Sequence, residues 1–120
     1  SSVMASMKVN KKTVSRWGIY KLKKKISKKN FFIDGVFEKP SIKSAPSNKA
    51  VIGRYILPKT IFKKLINQKP SKGGEIHITD AIQSLIKDGE KIIAHEFSGN
   101  YLDCGTMNGF INSNKIIGKI

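Results

Sequence analysis

The stretch GNYLDCGTMNGF (99–110) sets one of only eight acidic side chains beside the sole cysteine of a strongly basic chain. Asp103 follows an apolar pair, Tyr101 and Leu102, and precedes a turn at Cys104 and Gly105. A carboxylate at a strand end, next to a tight turn and a helix start, is placed to hold Mg²⁺ against phosphates. The same local sequence equally suits a helix N-cap. Cys104 is the weaker candidate. Neither His77 nor His95 is near it in sequence, and a small half-buried thiol serves packing rather than chemistry. Both histidines read as structural, in a pre-helix stretch and a strand.

A second constellation is VFEKP (36–40). Read plainly, Glu38 and Lys39 are an exposed ion pair at a sheet margin. Read for chemistry, they are a sugar-phosphate clamp: Glu38 accepts hydrogen bonds from sugar hydroxyls and Lys39 neutralises a phosphate. Adjacent strand residues point to opposite faces, so both can serve one ligand only if the chain bends there. Pro40 makes a strand end at that point. None of the ten glycines forms a G-x-G pair, so no phosphate-cradling loop of that type is present.

Composition bounds what these groups can serve. The 120 residues suffice for about one domain with a modest core, and 39% hydrophobic content spread along the chain marks a globular sequence. A lone cysteine makes no internal disulfide, and no metal-type Cys/His spacing occurs. No apolar run is long enough to span a bilayer and the opening residues lack a signal-peptide core, so the expectation is a soluble, cytoplasmic protein. The net charge of +15 invites a nucleic-acid partner. Yet of 23 basic residues only Arg16 and Arg54 are arginines, the type that forks onto guanine edges and phosphates. The lysines are scattered apart from KLKKKISKK (21–29), which reads as an exposed hairpin or loop. A basic nucleic-acid-binding module is therefore the lesser reading.

Several elements must position these residues. SVMASMKV (2–9) alternates as a strand, with Val3, Ala5, Met7 and Val9 sharing a face. FFIDGVF (31–37) is strand-like, and SIKSAPSN (41–48) is a loop by composition. AVIGRYIL (50–57) has the density of a buried strand, and Gly53 within it predicts close approach of a ligand or another backbone. Beyond Pro58, Ile61, Phe62, Leu65 and Ile66 form one helical stripe. A second helix over about 79–88 has Thr79 or Asp80 as its cap and Gly89 as its stop. KIIAHEF (91–97) returns as a strand, and a last helix starts just after Thr106. Strands alternating with helices give an α/β domain, one mixed sheet covered by helices.

Five blocks, SRWGIY, GVFEKP, APSNKAVIGRYIL, GGEIHITDAI and YLDCGTMNGF, in this order and at these distances, closely resemble the bacterial UTP–glucose-1-phosphate uridylyltransferases, or UDP-glucose pyrophosphorylases. The resemblance runs from Val3 to about Ile117. E-K-P and S-N-x-A-x-x-G-x-Y are shared with the wider sugar-nucleotidylyltransferase group. GGEIHITDAI and DCG look more like the uridylyl branch, with His77 where that family usually carries glutamine.

The resemblance implies a Rossmann-like α/β nucleotidyltransferase fold and the Mg²⁺-dependent conversion of UTP and glucose 1-phosphate into UDP-glucose and pyrophosphate. It implies that Gly18 brings its backbone against a sugar hydroxyl, Glu38 binds the glucose hydroxyls and Lys39 binds the sugar's phosphate. By the same likeness Asp103 is one of two aspartates holding Mg²⁺, and the strand with Gly53 walls the sugar pocket. It also implies a homo-oligomer.

The family's glycine-rich G-x-G-T-R loop, its downstream lysine and its first metal-binding aspartate are not in this chain. The expectation is therefore the C-terminal, sugar-phosphate-binding portion (1–120) of such an enzyme. That portion would be inactive toward UTP by itself and would carry an open sheet edge. Sister enzymes using thymidylyl, cytidylyl or adenylyl donors share the mechanism and stand as the alternative.

Overall fold

Five strands form one sheet that curls and closes on itself in the order β1-β4-β2-β3-β5. They are β1 (Ser2–Lys8), β2 (Gly18–Lys25), β3 (Asn30–Glu38), β4 (Lys49–Ile56) and β5 (Ile92–Glu96). In this computed structural model, residues 2–71 and 73–119 are described. β1 runs antiparallel to β4 and parallel to β5, so the sheet is mixed, as expected. The expected open edge is not found among the described residues, because β5 pairs with β1 and closes the ladder. The seam is thin between β2 and β4, where Ile19 opposite Ala50 is the register pair.

Among the described residues, α1 (Ile61–Ile66) and α2 (Ile78–Lys87) cover the sheet, while α3 (Met107–Ile117) adds no residue to the hydrophobic core and buries only Ser113. A 3-10 helix, Lys11–Arg16, leads into β2. The main core gathers Met4, Tyr20, Ile33 and Ile92 from the strands under Ile61 of α1 and Ala81, Ile82 and Leu85 of α2. A second, smaller core holds Val14, Ile19 and Ala50, with Trp17 packed against it.

Alternation in β1 is read correctly, but the buried face is the other one. Met4, with Ser2 and Ser6, points inward, while Val3, Ala5 and Met7 are half-buried. A strand paired on both sides has two faces to cover, and periodicity alone does not say which lies under the helices. β4 is less buried than its apolar density predicts: only Ala50 is fully buried. Three of its residues, Ile52, Gly53 and Arg54, stand opposite the single residue Ala5, a bulge for which Gly53 takes φ 74°.

Helix α1 buries only part of its predicted stripe. Ile61 is buried and Leu65 packs on the core, whereas Phe62 and Ile66 are exposed. The cap of α2 is also corrected. His77 is the N-cap residue and makes no side-chain cap bond, so Thr79 and Asp80 lie inside the first turn, where Asp80 favours the positive helix end. Gly89 ends α2 as predicted. At φ 91° it donates to the Ile86 carbonyl and the Glu90 N–H donates to Leu85, two bonds that together close the last turn.

Candidate sugar-phosphate and metal site

The corner at the end of β3 is built by its pairing with β2. Gly18 stands opposite Glu38 in the register, and the next residue, Lys39, takes φ 43° and donates its N–H to the Trp17 carbonyl at 3.0 Å. A left-handed lysine is the bend that the Glu-Lys pair requires. With no side chain, Gly18 leaves room: a Cβ there would lie 3.2 Å from Glu38 Oε2 and 3.3 Å from Val51 Cγ2.

Thr106 caps α3, its hydroxyl accepting the Gly109 N–H at 3.0 Å. Asp103 is therefore not the helix cap. Its Oδ1 accepts the Gly105 N–H at 2.9 Å, a local turn that leaves Oδ2 free of protein donors among the described residues. Cys104 is exposed rather than half-buried and takes no part in packing. Gly109 lets the first turn of α3 approach the Asp103 carbonyl more closely than a Cβ would allow.

These separate pieces meet in one cleft of about 390 Å³, whose wall includes Gly18, Glu38, Gly53 and Asp103. Lys39 is not part of the wall; it is exposed beside Glu38. A larger hollow of about 630 Å³ between α1 and α2 contains none of the candidate site residues, Gly18, Glu38, Lys39, Gly53 or Asp103.

The wall also holds residues that the sequence did not single out as site residues. Arg16, Trp17, Tyr55, His77 and Tyr101 all face the cleft. Tyr55 carried a signal, since it ends the S-N-x-A-x-x-G-x-Y pattern. Burial, and then the negative charge of Glu38, raise its pKa, so its phenol stays a neutral donor. His77, read as merely structural, lies 3.8 Å from the Glu75 carboxylate while lining the cleft. His95 is structural as expected, its Nδ1 2.7 Å from Asn30 Oδ1.

Electrostatically the cleft inverts the protein. Two carboxylates, Glu38 and Asp103, share it with one guanidinium, Arg16, in a chain of net charge +15. Carboxylate oxygens accept hydroxyl protons and hold divalent cations; they repel bare phosphate. The wall thus suits a polyol accompanied by a cation. Among the described residues no three His, Cys, Asp or Glu side chains converge as a metal cage. Asp103 offers a hard divalent cation one carboxylate oxygen from this chain, which fits a site completed by groups from outside it.

The sequence profile described as nucleotidyl transferase matches residues 2–119. The chain belongs to the nucleotidyl transferase family. Its relatives include a UTP–glucose-1-phosphate uridylyltransferase of Pseudomonas aeruginosa, 40% identical over 112 residues that make up 93% of this chain and 39% of the relative. Among solved structures, an apo UDP-glucose pyrophosphorylase superposes with a TM-score of 0.90 at 39% identity, over 98% of this chain and 42% of that one. A UDP-glucose pyrophosphorylase complexed with UDP-glucose gives a TM-score of 0.89 at 39% identity, over 98% of this chain and 44% of that one. The nucleotidyltransferase fold expected from the five blocks is the one found. The family member described here spans about two-fifths of the length of these relatives. No helix among the described residues is long and apolar enough to cross a membrane.

Proposed function

We propose that this chain supplies the sugar-phosphate-binding portion of a UTP–glucose-1-phosphate uridylyltransferase. The observation that carries the reading is the single cleft shared by Gly18, Glu38, Gly53 and Asp103. The likeness to a pyrophosphorylase complexed with UDP-glucose supports the choice of sugar nucleotide. The residues that read the uracil base are expected in the part of the relatives' length that this chain does not span.

In the reaction, a phosphate oxygen of glucose 1-phosphate attacks the α-phosphorus of UTP. The new O–P bond forms as the bond to the β-phosphate oxygen breaks, and pyrophosphate leaves. Such a transfer needs positioning and charge neutralisation more than covalent help. Glu38 accepts hydrogen bonds from the glucose hydroxyls, and the Gly18 backbone and the Gly53 bulge shape the wall against the ring. Lys39, released from the strand direction by its left-handed turn, reaches the sugar's phosphate. Tyr55, held neutral, donates its hydroxyl proton within the cleft. Asp103, through the oxygen left free by its turn, is the residue that would hold Mg²⁺. An ion held there would supply charge neutralisation for the departing pyrophosphate. The whole protein is proposed to act in the cytoplasm, as a homo-oligomer.

A coupled pyrophosphate-release assay on the whole protein, with glucose 1-phosphate and a panel of UTP, dTTP, CTP and ATP, tests this. UTP is expected to dominate. Preference for dTTP, CTP or ATP would reassign the chain to a sister enzyme. No turnover with any of them, together with steeply salt-dependent DNA binding, would favour the nucleic-acid reading instead.

A further inference from the structure

Asp103 sits on a segment with few directional anchors. Among the described residues, no hydrogen bond joins residues 99–105 to another strand or helix, and the bond at Asp103 Oδ1 is internal to its turn. What reaches across is a ring. Tyr101 meets Trp17 edge to face, with centroids 5.1 Å apart and planes at 76°.

Trp17 is well placed to be the fixed partner. It packs against the smaller core of Val14, Ile19 and Ala50. Its N–H donates to the Val14 carbonyl at 3.1 Å, and its own carbonyl accepts from Lys39. It immediately precedes Gly18, which pairs with Glu38. One residue thus touches the bend at Lys39, the ladder at Gly18 and, through Tyr101, the turn that bears Asp103.

We infer that the Trp17–Tyr101 ring pair is a positioning device that holds the Asp103 turn against the Glu38–Lys39 corner, so that the metal side of the cleft keeps register with its sugar side. The inference rests on the proposed function and adds two positioning residues to it. Neither ring needs to touch the reacting atoms.

The test separates the two sides of the cleft by calorimetry. UDP-glucose binding to the whole protein is measured with Mg²⁺ and without it, in the wild type, Tyr101→Phe and Tyr101→Leu. The ratio of the two affinities is the magnesium-dependent part. Loss of an edge-to-face pair corresponds to about 2- to 12-fold in an equilibrium. Tyr101→Leu is expected to lower the magnesium-dependent ratio by that factor, and Tyr101→Phe, which keeps the ring, restores the ratio. Trp17 is the only tryptophan of these 120 residues, and the difference in emission between the wild type and Tyr101→Leu should report the lost contact.

A magnesium-dependent ratio unchanged in Tyr101→Leu overturns the inference. So does an equal fall in the metal-free and metal-bound affinities, which would mark Tyr101 as a ligand contact or a fold element instead. If the wild type binds no UDP-glucose under either condition, the proposed function fails first, and the inference falls with it.

Discussion

Gly18 and Glu38 face one another across the β2–β3 ladder, and a single methyl group on Gly18 would come within 3.2 Å of the Glu38 carboxylate. The missing side chain is the space that lets Glu38 settle toward the cleft. Val51 stands on the other side at 3.3 Å, so a methyl has no free direction. Gly18→Ala is therefore expected to raise KM for glucose 1-phosphate by roughly 10- to 100-fold with a smaller change in kcat, since a displaced Glu38 loses about one charged hydrogen bond. Steady-state kinetics of the whole protein check this. An unchanged KM would mean that Glu38 is not held where the reading needs it.

Gly109 plays the matching part on the metal side. A Cβ there would collide with the Asp103 backbone carbonyl, a neighbour that cannot rotate away. Gly109→Ala is expected to shift the Asp103 turn and raise the Mg²⁺ concentration needed for half-maximal turnover by several fold, while helix propensity itself improves by about 1 kcal/mol. A magnesium titration of activity reads the outcome. An unmoved midpoint would show that the carboxylate does not depend on the packing of α3.

Lys39 keeps a backbone conformation that costs a non-glycine residue about 1–2 kcal/mol. Lys39→Gly removes that cost but also frees the unfolded chain, so stability should hold or rise by up to about 1 kcal/mol. Glucose 1-phosphate affinity should fall because the ammonium is gone. A melting curve and a binding isotherm on the same variant test the pairing of gain and loss. A variant that is clearly less stable would show that the bend is sustained by the lysine side chain.

Tyr20 governs behaviour in alkali. Its hydroxyl donates to the Ala5 carbonyl at 2.9 Å inside the main core, and burial, reinforced by Tyr55, pushes its pKa far above the ordinary 10. The folded state keeps the proton that the unfolded state releases, so this contribution is complete below pH 10 and is lost as pH rises beyond it. Each pH unit above 10 removes up to about 1.4 kcal/mol. In a 295 nm titration, the tyrosinate signal that Tyr20→Phe removes should appear together with the loss of far-ultraviolet dichroism. Its appearance near pH 10 in protein that is still folded would contradict the burial argument.

Four residues singled out in the sequence, Gly18, Glu38, Gly53 and Asp103, line one cleft, whereas the packing around them was less legible. Glu38 and Asp103 stand in the blocks GVFEKP and YLDCGTMNGF that carry the family resemblance, so residue type and spacing alone single them out. The faces of β1 were not legible, because the alternation of Val3, Ala5 and Met7 groups residues without saying which group the helices cover. The open sheet edge was expected from absent strands, and it vanished because β5 crosses to pair in parallel with β1, a non-local pairing that no local pattern announces. Trp17 and Tyr101 lie 84 positions apart in the sequence, and their contact arises only once Gly18 and Asp103 share a cleft.

The most direct measurement is pyrophosphate release by the whole protein from UTP and glucose 1-phosphate, across a magnesium series, with Glu38→Ala and Asp103→Ala beside the wild type. Glu38→Ala should raise KM for the sugar phosphate and leave the magnesium dependence in place. Asp103→Ala should lower magnesium-supported kcat by about 100-fold or more, the scale of losing a group that stabilises transition-state charge. Full turnover by Asp103→Ala at ordinary magnesium would contradict a cleft in which one carboxylate meets the metal and the other meets the sugar.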